Sequence, residues 1–141
     1  MTGTAPGRRP KSSIRNAGAV VTEYLTAYLS GNIDHARSLV REDFWFRAPL
    51  IETTATKDVY FAGSDEKLGL IRDFRIVAQW EGGDEVSTVY EIDVQTPAGT
   101  ASMLMHEWHT VHDGQLASTV MIFDTAARAA QLLRDALMSG H

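Results

Sequence analysis

The stretch at residues 101–124, ASMLMHEWHTVHDGQLASTVMIFD, constrains this chain more than any other. Asp113-Gly114 supplies the positive φ that a tight hairpin turn needs. Both flanks are rich in Met, Trp, Thr, Val, Ile and Phe, which suit a pleated surface. The spacing predicts two antiparallel strands joined at 112–115. Side chains alternate along the first: Met103, Met105, Glu107 and His109 share one face, His106 and Trp108 the other. An ionisable group inside an apolar strand needs a partner, solvent or a cavity.

The segments before the hairpin supply what such strands pack on. Residues 14–30 carry Val20, Val21, Tyr24, Leu25, Tyr28 and Leu29 on one helical stripe, ended by Gly31. Asn32 or Asp34 caps a second helix through Val40. Phe44-Trp45-Phe46 suits a buried strand that ends at Pro49. Residues 51–61 show no period and read as a loop, with a short strand possible at 59–61. Ser64 caps a third helix reaching Phe74. Residues 75–81 and 85–95 then read as strands, the second with Val86, Thr88, Tyr90, Ile92 and Val94 on one face. Residues 125–138 form a final amphipathic helix. Helices followed by consecutive antiparallel strands predict an α+β fold. Its curved antiparallel sheet wraps over the N-terminal helices as a cone, whose open end is a natural small-molecule pocket.

Length allows one domain, placed at 14–138 behind a disordered basic tail at 1–13. With 18 acidic against 13 basic residues the net charge is -5, which argues against nucleic-acid binding. The absence of cysteine excludes disulfides and thiolate catalysis. No run is long enough for a membrane-spanning helix and the N-terminus lacks the apolar core of a secretory signal, so a cytoplasmic location is expected. His106, His109 and His112 alternate between strand faces and no HExxH spacing occurs, so no metal and no cofactor is expected.

The order of these elements, with the strings VVTEYLTAYLSGNIDHARSLVREDFWFRAP, EWHTVHDGQLASTV and IFDTA, resembles the nuclear transport factor 2-like superfamily and, within it, the SnoaL-like group. The resemblance covers about residues 15–126. It implies the cone-shaped α+β roll and a range of functions: isomerases, polyketide cyclases, epoxide hydrolases, dehydratases and modules that only bind. The first string resembles the opening of the ketosteroid isomerases. Tyr24 matches their helix tyrosine, which donates to a developing oxyanion. Their general base precedes the proline after the first strand, and here that position is Ala48, which cannot take a proton. Their second oxyanion donor falls nearest Glu107.

Asp124 resembles the acid of SnoaL-like cyclases and the water-activating residue of limonene epoxide hydrolases. Alternatively it is the N-cap of the final helix. The Asp/Arg pair that those hydrolases also need is missing from the hairpin. Glu107 and His109 make either a same-face general-base dyad or an outer-face pair bonded across strands or at a dimer interface. Tyr28, Phe44, Phe46, Tyr90, Met103, Met105, Trp108 and Ile122 are expected to wall the pocket. The resulting expectation is cofactor-free acid/base chemistry (cyclisation, isomerisation or hydrolysis) on an apolar carbonyl, enol or epoxide. The alternative is a non-catalytic binding or dimerisation module. A homodimer is expected, because an open curved sheet leaves one face to cover.

Overall fold

The computed structural model describes residues 16–49, 51 and 53–139. The basic tail expected at 1–13 lies outside them. Helix α1 (Ala17–Leu29) begins where the Asn16 side chain accepts the Ala19 amide at 2.7 Å. Val20, Val21, Tyr24 and Leu25 on its inner stripe are fully buried, each worth about 1.5–3 kcal/mol. Gly31, at φ +91, turns the chain out of the helix. Helix α2 (Ile33–Ser38) is capped by Asn32.

Strand β1 (Val40–Arg47) starts four residues before the aromatic run. Residues 51–61 depart from expectation. A short strand β2 (Ala55–Thr56) runs into a one-turn helix α3 (Lys57–Phe61), where Thr56 caps and Tyr60 and Phe61 turn inward. The helix expected from Ser64 to Phe74 is only α4 (Ser64–Leu68). Gly63, at φ +75, takes the cap position, and the Ser64 hydroxyl bonds the Tyr28 hydroxyl instead. Gly69 stops the helix, and Ile71 and Phe74 belong to strand β3 (Ile71–Gly82).

Strands β4 (Glu85–Thr96), β5 (Gly99–His112) and β6 (Gln115–Ile122) complete a six-stranded sheet in the order β2-β1-β6-β5-β4-β3. All neighbours are antiparallel except β1 and β6. Both residues of the β5–β6 turn have positive φ, Asp113 at 55 and Gly114 at 77, as a type I′ turn requires. Register shifts in β3 and at the β1–β6 and β5–β6 pairs bend the sheet around α1. The last helix, α5 (Arg128–Ser139), starts three residues later than expected and lies against β4 and β5. No described helix is long and apolar enough to cross a membrane.

Candidate functional site

Strand alternation builds the site. Thr88, Tyr90, Ile92 and Val94 of β4 face inward, as do Met103, Met105, Glu107 and His109 of β5. Direct cross-strand pairing sets Thr88 opposite Glu107 and Tyr90 opposite Met105, so Tyr90 and Glu107 are diagonal neighbours on one face. The Tyr90 hydroxyl donates to Glu107 Oε2. His109 Nε2 stands 2.9 Å from Glu107 Oε1, and the two side chains are 0% and 2% exposed. That contact is close enough for an ion pair but out of line for a hydrogen bond. Among the described residues, His109 Nδ1 and the facing Thr119 hydroxyl likewise have no hydrogen-bond partner. Buried polar atoms left unpaired are costly.

Burial pushes the Glu107 carboxyl up. The adjacent His109 imidazole, the Tyr90 hydroxyl and the charge of Lys67 outweigh it and leave Glu107 below the ordinary carboxylate value. Burial, reinforced by the Glu107 charge, raises Tyr90 well above the ordinary phenol. Tyr24 and Tyr60 are raised for the same leading reason. A carboxylate is therefore ringed by neutral phenols that keep their protons.

In front of Tyr90 lies a cavity of about 340 Å³, partly open to solvent. Phe46, Ile92, Met103, Met105 and Met121 give it an apolar wall, and Ala130, Leu133 and Leu137 of α5 close one side. The polar groups reaching it are few: Tyr28, Tyr90, Lys67 and Arg134. A mostly apolar hollow with a few directed polar groups is the usual form of a small-molecule site.

Of the residues expected on this wall, Tyr28, Phe46, Tyr90, Met103 and Met105 are there. Phe44 is buried against the Tyr60 ring, 5.5 Å between centroids, and lies behind the wall. Trp108 and Ile122 do not reach it. Both project from the outer sheet face, 44% and 51% exposed, and the Trp108 indole donates to Glu85 at 3.0 Å. Tyr24 is fully buried behind the cavity, its hydroxyl donating to that of Tyr60 at 2.8 Å. It touches the His109 ring edge at 6.1 Å between centroids, so it braces the imidazole from behind.

Asp124 does not join the group. It lies two residues past the end of β6, is exposed, and its carboxylate accepts the Ala126 amide at 2.9 Å. It closes a turn ahead of α5 and is neither a wall residue nor that helix's N-cap, because the helix starts four residues on at Arg128. Of the three candidate metal-ligating histidines, His109 alone faces in. His106 is on the opposite face, and exposed His112 lies 3.7 Å from Asp84.

No family model matches the chain, and no curated protein matches it in sequence. Solved structures match its architecture. A nuclear transport factor 2-like protein of unknown function from Burkholderia pseudomallei superposes with TM-score 0.71 at 17% identity, over 85% of this chain and 98% of its own. The chain has the nuclear transport factor 2-like fold. A hypothetical protein with a ketosteroid isomerase-like fold from Catenulispora acidiphila, in complex with trimethylamine, also matches (TM-score 0.67, 15% identity, 80% of this chain and 91% of its own covered). So does TerC co-crystallised with polyporic acid (TM-score 0.62, 20% identity, 82% and 98% covered). At such identities the likeness is one of fold.

Proposed function

We propose that the protein takes one small, mostly apolar molecule into this cavity and moves a proton at that molecule's oxygen, without a cofactor. The observation that carries this is Tyr90, whose side chain lines the cavity and whose hydroxyl donates to a buried carboxylate. An enol or phenol hydroxyl arriving at Tyr90 finds an acceptor oxygen whose own proton is aimed at Glu107. Transfer breaks the ligand O–H bond and forms one at Tyr90, while the Tyr90 proton passes to Glu107 Oε2 beside His109. The product is an enolate and a neutral Glu107. An enolate is the species from which isomerisation or cyclisation proceeds, and the reverse path reprotonates it. Fold neighbours solved with small organic molecules, trimethylamine in one and polyporic acid in another, support a small-molecule reading.

The low position of Glu107 favours a second reading, in which the cavity binds a hydroxyl-bearing ligand and catalyses nothing. A carboxylate held below its ordinary value is a reluctant base. Ketonisation of the neutral enol of benzoylacetone, diluted into water and followed by the loss of its ultraviolet absorbance, separates the two, because the relay removes the enol O–H proton and water then protonates the enolate at carbon. Ketonisation faster than buffer, saturating with the enol, is expected for the enzyme; binding of the enol at the uncatalysed rate supports the binding module.

A further inference from the structure

The cavity wall carries two full charges, Lys67 and Arg134, and both are positive, in a chain whose acidic residues outnumber its basic ones. No described Asp or Glu lines it, because Glu107 lies behind Tyr90. The two cations differ in setting. Arg134 is exposed on α5, with the Asp135 carboxylate 3.9 Å away. Lys67 is half-buried on α4, its ammonium 5.1 Å from the Tyr28 ring centroid and 5.5 Å from that of Tyr60. Among the described residues, no carboxylate lies within ion-pair distance of Lys67. Aromatic faces recover only part of what an ammonium loses on leaving water. A half-buried cation on the wall of a mostly apolar hollow has a use when something negative enters.

We infer that the cavity's ligand is an anion: an apolar body bearing one ionised oxygen group, a carboxylate or an enolate, that pairs with Lys67. This rests on the ligand reading proposed above and narrows it. The apolar body lies along Phe46, Ile92, Met103 and Met105, and the charged oxygen takes the ammonium in a charge-assisted hydrogen bond.

Calorimetric titration of the full chain with 2-naphthoate and with neutral 2-naphthalenemethanol tests this. The carboxylate is expected to bind about tenfold or more tightly than the alcohol, with a margin that shrinks as salt rises. Lys67→Met should remove the margin, and Lys67→Arg should restore most of it. Equal binding of the two probes by the native chain, or a margin that survives Lys67→Met, overturns the inference and leaves the cavity reading standing. Binding of neither probe overturns both. The native-chain comparison decides even if a variant folds poorly.

Discussion

Tyr90 and Glu107 stand diagonally on neighbouring strands, and the phenol of one donates to the buried carboxylate of the other. The Tyr90 side chain also lines the cavity, and the Glu107 carboxylate also stands beside His109. The Glu107–His109 pair is buried from solvent.

The carboxylate shows itself first in stability. Glu107→Gln keeps the shape but removes the charge that Tyr90 and His109 face. It is expected to cost about 1–3 kcal/mol in urea unfolding at pH 7. The acid limb should change with it. Because the folded value of Glu107 lies below the ordinary 4.5, its contribution is complete above that pH and is lost as pH falls through the folded value. Asp43 and Asp93 are also held low, by Arg41 and Arg75, and remain in both proteins. The difference between native and variant from pH 7 to 3 therefore isolates Glu107. Parallel curves would contradict its assignment as a buried carboxylate.

The phenols act at the other end of the scale. Tyr24, Tyr60 and Tyr90 are raised above the ordinary 10.0 by burial. Their contribution to stability is complete below that value and is lost as pH climbs beyond it, since the unfolded chain ionises first. Phenolate absorbance should thus appear for these three only together with loss of far-ultraviolet circular dichroism. Ionisation of all four tyrosines in a still-folded chain would rule this out.

Much of the architecture is legible in the residues. The Asp113-Gly114 turn and the alternation of 85–95 place the central strands, and strand parity alone puts Glu107 and His109 in one row with two methionines. Parity cannot say which row faces inward; that depends on α1 packing across the sheet. Asp124 drew attention because it ends an apolar strand, yet the strand stops at Ile122 and the chain has already turned outward. Lys67 was missed because its meaning lies in Tyr28 and Tyr60, far away along the chain. Tyr60 itself sits in a helix too short to leave a period.

Activity should sort the candidate acids. In benzoylacetone enol ketonisation, Tyr90→Phe and Glu107→Gln are expected to lower the catalysed rate by about 10²-fold or more. Asp124→Asn, at an exposed turn, should leave it within about twofold, since its bond to Ala126 is local. The reverse ranking would return Asp124 to the mechanism and remove the relay.

We propose that a second copy of the chain covers the outer sheet face. Trp80 and Trp108 flank Ser87 in one cross-strand row, and exposed Ile122 pairs with His106 in the next. Contiguous exposed apolar surface of this kind favours association. Sedimentation equilibrium should give twice the chain mass, falling to one in Trp80→Glu/Trp108→Glu. A monomeric native protein would contradict this.

A crystal structure with 2-naphthol bound tests the central claim most directly. The ligand's oxygen is predicted to lie about 3 Å from the Tyr90 hydroxyl, with its rings against Phe46 and Met105 and the Tyr90–Glu107 bond intact. Naphthol bound elsewhere, or bound in the cavity with its oxygen away from Tyr90, would contradict the account.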